Sequence, residues 1–557
     1  MQSAGFDTNG CLVGVDVGTG SARAAVFDRA GGRRALAACP IQMWKPYGEF
    51  AEQSSGDIWQ AVGTAVRQAV AEAGVLRGQV RGIGYAATCS MVMLGSQDQP
   101  LSVSPEGDNA RNVIVWMDHR AVEEAEHINE TQGEPLRYVG GRVSPEMQIP
   151  KLLWLKRHLP QTFAKAGRFL DLADYLSFQS TGSAARSECT TVCKWTYLAH
   201  EHRWDEDFLR AVGLPELPDT RIGLAQDIRP LGTLAGHLTT AAAAHLGLDA
   251  GTPVAVGAID AHAGGIGLLG AAGADSGEPG DDALSSALAL IGGTSSCHMA
   301  ASQEPRFIPG VWGPYFGAML PGWWLTEGGQ SASGALLDFV IDTHPALPAL
   351  DALAAQRGET RYQVLNARIL ALAGKAGLPF PALLTRDLHL LDYHLGNRSP
   401  FADPRARGMV DGLTLDSSLD SLAVLYLAAV QSIAYGTRAI VEALSGGGYE
   451  IRHLLATGGG TKNPLWLEQH ADAVGLPLTL THEPEAVLLG AAILGAAACG
   501  EYGDIRTAMQ SMTRAGASVM PNTAAKAYHD AKFACYQSLY QEQGARRKRM
   551  AEFAGGR

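Results

Sequence analysis

A chain of 557 residues is too long to close around one hydrophobic core, so two or more domains are expected. Hydrophobic residues at 46% and charged residues at 18% are the proportions of a water-soluble globular protein, and a formal net charge of -12 excludes a general binder of nucleic acid or of anionic membrane surfaces. Any phosphate chemistry must therefore rest on local backbone donors and a metal ion. The eight cysteines, Cys11, Cys39, Cys89, Cys189, Cys193, Cys297, Cys499 and Cys535, have neither disulfide-framework nor zinc spacing, which points to a reducing, cytoplasmic setting. The opening MQSAGFDTNG lacks a basic n-region, and the longest apolar run, 486–499, falls short of the ~20 residues that a spanning helix needs, so neither a signal peptide nor a membrane span is expected.

Residues 12–18 (LVGVDVG) read as an apolar strand interrupted by Asp16. Thr19-Gly20-Ser21 and a second strand over 22–28 follow, and Gly31-Gly32 turn the chain into a third over 34–44. The turn formed by Gly18, Thr19, Gly20 and Ser21 can point backbone N–H groups and two hydroxyls at a phosphate, and Asp16 can hold Mg²⁺ through water. A plain hairpin with a solvated acid fits the same residues. An amphipathic helix is expected over 56–72, with Ser55 as N-cap and Gly74 as stop. A buried strand over 80–87 ends in Thr88-Cys89-Ser90-Met91, and another over 113–117 ends in Asp118-His119-Arg120. Polar side chains at strand ends serve sites and ordinary loops alike. A loop then leads into a helix within 146–158 that carries Lys151 and Trp154, and Lys194 stands among aromatics in CKWTYL, where a lysine often snorkels.

The chain is organised around 254–270, VAVGAIDAHAGGIGLLG, where a buried strand delivers Asp260 into a run of glycines with His262 two residues on. Asp260 is placed to accept a proton from a bound hydroxyl; it is equally suited to cap the helix that follows. A polar insert, 272–286, reads as a mobile surface loop. After it, a strand over 288–293 with Gly293 and Thr294-Ser295-Ser296 repeats the opening: GTGSARA and GTSSCHM superpose in phase, which suggests a duplicated fold that grips a polyphosphate from both sides. Glu327, in WWLTEGGQ, stands at another strand-to-helix junction, before a helix over 331–340 that carries Gly334 and Asp338. A long amphipathic helix is expected over 422–444 and a strand over 451–457. The turn Gly458-Gly459-Gly460 then leads through Thr461-Lys462-Asn463-Pro464 into a helix, offering bare backbone on which a base or phosphate can rest. Neither a GxGxxG nor a Walker A motif occurs. The last helix is expected over 524–540, with Arg546-Arg547-Lys548-Arg549 as a solvated basic end.

The set DVGTGSAR, WMDHR, PKLLWLKRH, GAIDAHAGG, IGGTSS and ATGGGTKN resembles the FGGY family of carbohydrate kinases over nearly the whole chain, and within it the ribulokinase-type pentulose kinases. The resemblance implies an α/β, duplicated ribonuclease-H-like (actin-like ATPase) fold of two domains, 1–260 and 261–557, with an interdomain cleft. It implies ATP and Mg²⁺ as cofactors, a ketopentose such as ribulose as acceptor, and a cytoplasmic enzyme that forms a homodimer. Under it Asp260 is the catalytic base and Asp16 positions the metal. Gly18, Thr19, Gly293 and Thr294 flank the phosphates, while Gly334, Gly459 and Asn463 line the nucleotide; Cys89, Lys194, Asp260 and Glu327, with Asp118 nearby, take the sugar. Two positions depart from the family pattern: Gln148 where a small residue is expected, and Val424 where a polar one is. Other classes consistent with the same residues are a kinase for xylulose, ribitol or glycerol, and a non-catalytic sugar or nucleotide sensor.

Overall fold

The computed structural model describes residues 10–218, 227–273 and 280–553. Two seven-stranded sheets, one from each half of the chain, share a connectivity. In the first, strand Cys11–Val17 pairs antiparallel with Ser21–Asp28, which pairs antiparallel with Arg33–Pro40. On its other side Cys11–Val17 pairs parallel with Val80–Ala87, followed by Pro253–Ala255 parallel and Leu234–His237 antiparallel. The second sheet repeats this order. Ala287–Gly292 pairs antiparallel with Ser296–Ser302, and that strand antiparallel with Trp324–Gln330. On the other side come His453–Thr457 and Leu478–Thr481, both parallel, then Ala515–Val519 antiparallel. The repeat seen in two seven-residue motifs is thus a repeat of six strands, the duplicated actin-like architecture.

The central strands explain themselves. Cys11–Val17 is buried at every position, Asp16 included, and its parallel neighbour requires helices on both faces. Those faces are covered by helices such as Ser55–Glu72 and, between the sheets, by Asp260–Leu269 packed on Ala486–Ala498. The second of this pair, AVLLGAAILGAAA, is built of small residues because backbones approach closely. A Cβ on Gly490 would stand 1.8 Å from the Ala263 carbonyl oxygen, and one on Gly84 1.9 Å from that of Ala491. The apolar run therefore serves a tight helix crossing. Helix Leu419–Gly446 is long and apolar enough to cross a bilayer, yet 83% of its most apolar window is buried inside the protein, as in a core helix.

Several elements depart from expectation for local reasons. The first helix is capped by Ser54, whose hydroxyl accepts from Asp57 N–H at 3.3 Å; the Ser55 hydroxyl instead accepts from Asn112 Nδ2 at 2.9 Å. The strand expected over 113–117 stops at Ile114, because the carbonyls of Val115 and Trp116 turn to accept from Lys151 Nζ at 3.0 and 3.2 Å. Of the insert 272–286, residues 274–279 lie outside the described residues; Gly280–Ser286 is a helix whose Asp281 and Asp282 stand in its first turn, where the helix dipole favours acids. The helix expected over 331–340 begins only at Gly334, and the last helix runs Lys526–Ala551, eleven residues beyond the expected end. Its basic end is not simply solvated, for Arg547 is bound to Asp403.

Candidate active site

A cavity of about 430 Å³ opens between the two sheets and is lined from both halves of the chain. Asp16, Gly18 and Thr19 reach it from the first hairpin, Gly293 and Thr294 from the second, and Asp260 from the N-terminus of its helix. Cys89, Lys194 and Glu327 line the same space. The hairpin tips close alike: Gly18 N–H donates to Ser21 O at 3.0 Å and Gly293 N–H to Ser295 O at 2.8 Å. Thr19 is fixed by Trp116 Nε1, which donates to its hydroxyl at 2.9 Å, so the hydroxyl proton remains available to an incoming oxygen.

Asp260 heads its helix with Oδ1 accepting its neighbour's Ala261 N–H at 2.7 Å. Burial and the charge of Asp16 push its carboxyl up to about 6, against the pull of that N–H, His262 and Lys194. Such a group is ionised at neutral pH yet basic enough to take a proton. Arg23 holds Asp16 Oδ2 at 2.5 Å and reaches Glu485 at 2.7 Å; burial raises the Asp16 carboxyl even so. The far end of the cavity is held by an ion pair between the halves, Glu146 and Arg398 at 3.6 Å. Burial opposes the Glu146 charge, but Arg398, His119 and Lys194 outweigh it and hold the carboxyl at about 2. The Trp312 ring lies between cations, with Arg398 at 5.0 Å and Lys194 at 5.6 Å from its centroid.

Four expected residues lie outside this lining. Asp118 is fully buried, and its carboxylate accepts from Ala51 N–H at 2.6 Å and from Arg120, so it braces the loop instead of facing the cavity. Gly334 supports the second hairpin: its N–H donates to Gly293 O at 3.0 Å, and a Cβ there would meet that oxygen at 2.7 Å. Asn463 caps helix Pro464–Val474, donating to Tyr426 Oη at 2.6 Å and accepting from Asn366 at 2.8 Å. Gly459 faces open space. Conversely, Glu146, Trp312 and Arg398 line the cavity outside any motif: Glu146 and Arg398 lie in irregular chain, and Trp312 opens the short strand Trp312–Phe316. Trp116 and His262 stand inside the motifs WMDHR and GAIDAHAGG, each two residues from the acid of its motif.

Residues 11–267 match the N-terminal domain of the FGGY family of carbohydrate kinases, and residues 288–499 match its C-terminal domain. The chain belongs to this family and is an ATP-dependent sugar kinase. It is 47% identical over 540 residues to the FGGY carbohydrate kinase domain-containing protein of Homo sapiens, covering 95% of this chain and 96% of that one. It is 39% identical over 515 residues to a D-ribulokinase of Saccharomyces cerevisiae, covering 88% and 72%. Among solved structures, a ligand-bound xylulose kinase from Lactobacillus acidophilus superposes with a TM-score of 0.78 over 96% of this chain and 98% of that one, at 21% identity, a likeness of fold.

Proposed function

We propose that the chain phosphorylates the terminal hydroxyl of a ketopentose, with ribulose as acceptor and ribulose 5-phosphate as product. The observation that carries this reading is the convergence of Asp260, both Gly-Thr hairpins, Lys194 and Glu327 on one cavity. Asp260 takes the proton of the attacking hydroxyl as the new O–P bond forms and the bond from the γ-phosphorus to ADP breaks; the remaining work is positioning. Lys194 Nζ makes no hydrogen bond to the described residues and can donate to sugar oxygens, while Glu327 accepts from a hydroxyl. The lining sets the carboxylates of Asp16, Glu146, Asp260 and Glu327 against Arg23, Lys194, Arg398 and His262, a balance suited to a neutral polyol. The likeness to the yeast D-ribulokinase supports ribulose among such acceptors.

Magnesium would neutralise charge on the β- and γ-phosphates. Asp16 fits a water-mediated role, since it lines the cavity and its Oδ1 has no hydrogen-bond partner among the described residues while Oδ2 is held by Arg23. No group of three or more His, Cys, Asp or Glu is preformed for a metal among the described residues, so phosphate and water would complete the shell. The open backbone at Gly459 is the proposed adenosine rest, with Asn463 fixing the turn and Gly334 backing the phosphate hairpin. The test is ADP release with Mg-ATP across ketopentoses, pentitols and glycerol. Turnover fastest on a ribulose supports the assignment, and preference for xylulose or glycerol overturns it.

A further inference from the structure

His262 lies two residues after Asp260, and phosphoryl transfer as described gives it no role. Its ring is 2% exposed, and both nitrogens face acceptors. Nε2 is 3.4 Å from Glu327 Oε2, while Nδ1 is 3.2 Å from the Ala318 carbonyl oxygen and 3.1 Å from Cys189 Sγ. A carbonyl oxygen and a carboxylate accept and do not donate, so a bare ring nitrogen at either end would set lone pair against lone pair away from water. A neutral ring could accept from the Cys189 thiol at Nδ1 but would then turn a lone pair on the Ala318 carbonyl oxygen; the doubly protonated ring satisfies both the carbonyl and the carboxylate. The third partner suits this: Cys189 is fully buried at the start of helix Glu188–Trp195, and its sulfur can carry the balancing negative charge.

We infer that His262 is a positioning residue which, as an imidazolium pinned by Cys189 and the Ala318 carbonyl, orients Glu327 to accept a sugar hydroxyl remote from the one phosphorylated. The electrostatics agree. Burial disfavours the charged ring, but Cys189 and Glu327 outweigh it, and the Cys189 thiol is in turn drawn below its ordinary value by Cys193 and His262 in spite of burial. Burial likewise raises the Glu327 carboxyl, and His262, Lys194 and Arg398 together more than offset it. This chain of contacts joins the helix that carries Asp260 to the strand that carries Glu327, so one side chain sets the spacing of base and sugar ligand.

The inference rests on the sugar-kinase reading for its ligand and is tested without it first. In protein labelled with ¹⁵N-histidine, free of sugar, the resonances lost in His262→Gln identify the ring; both nitrogens are expected to be protonated at pH 8. One protonated and one bare nitrogen would overturn the inference. In kinetics, His262→Gln and Glu327→Gln are each expected to raise the acceptor KM at least ~10-fold with the KM for ATP within about twofold, and the double variant to be no worse than the worse single one. Multiplying effects, or an equal rise in both KM values, would overturn it. If His262→Gln does not fold, Cys189→Ser is expected to raise the acceptor KM severalfold, and an unchanged KM counts against the inference. A panel with no accepted sugar defeats the kinase reading and leaves the ¹⁵N result standing.

Discussion

Asp260 is the proposed base, and its environment sets two expectations. As the base it must be ionised, so kcat/KM should fall with unit slope below about pH 6 and level off above it, read from initial rates at saturating ATP. Asp260→Asn should abolish transfer while ATP binding by calorimetry stays nearly intact; robust turnover by this variant would remove Asp260 from the role. The same shift acts on stability. A carboxylate whose folded pKa lies above its unfolded value of about 4 binds an extra proton when folded, so its contribution declines as pH rises through 6. The Asn variant should therefore melt higher than the parent at pH 8, and the gap should narrow towards pH 5. Gln148, a departure from the family pattern, also has a physical place: its Nε2 donates to Asp171 at 2.8 Å and to the Cys89 carbonyl at 2.9 Å, tying a buried acid to the sugar pocket. Burial and the nearby Asp174 push Asp171 up to about 7. Gln148→Leu removes one partner and leaves the other buried, a loss of about 1–3 kcal/mol measurable by urea unfolding.

Among elements, the crossing of Asp260–Leu269 with Ala486–Ala498 is the most sensitive. Its close approach depends on glycine at 490, where any Cβ collides with backbone rather than with a side chain that can move. Gly490→Ala should cost about 1–3 kcal/mol or more through forced displacement of the helices, seen as a lower denaturant midpoint, and should reduce kcat because the displaced helix carries the base. A variant as stable and as active as the parent would show that the helices have room to part. The hairpins behave differently. Gly18 and Gly293 line the cavity, and a Cβ on either would come no nearer than 3.8 and 3.6 Å to another atom, so substitution there should disturb phosphate binding more than folding.

On the scale of the molecule, helix Ala486–Ala498 belongs to the second half in sequence yet packs against Gly84 of the first sheet. The first sheet's core is thus incomplete until the C-terminal half has been made. Heat unfolding should accordingly be one cooperative transition, with tryptophan fluorescence and far-UV signals coincident; two separated transitions would mean that the halves are independent. The Glu146–Arg398 pair and the contact of Tyr138 and His200 with Phe307 and Trp324 join the halves again. Arg398→Met leaves Glu146 buried without its principal cation and should raise the acceptor KM with little change in the KM for ATP.

What the sequence by itself determined is the part written in contiguous residues. The two Gly-Thr hairpins, the Asp260 junction and the duplicated order of strands are local patterns of apolar runs, glycines and hydroxyls, and these carry the fold class and the proposed base. Tertiary structure alone decided which distant residues share the cavity. Glu146 and Arg398 meet there from loops and Trp312 from the start of a five-residue strand, and Asp118, legible in the same kind of motif as the true lining, turns inward to bind Arg120 and the Ala51 N–H. A side chain's chemistry is fixed by its type, but its partner is fixed by where the chain returns, and residues more than a hundred positions apart leave no local trace of that return.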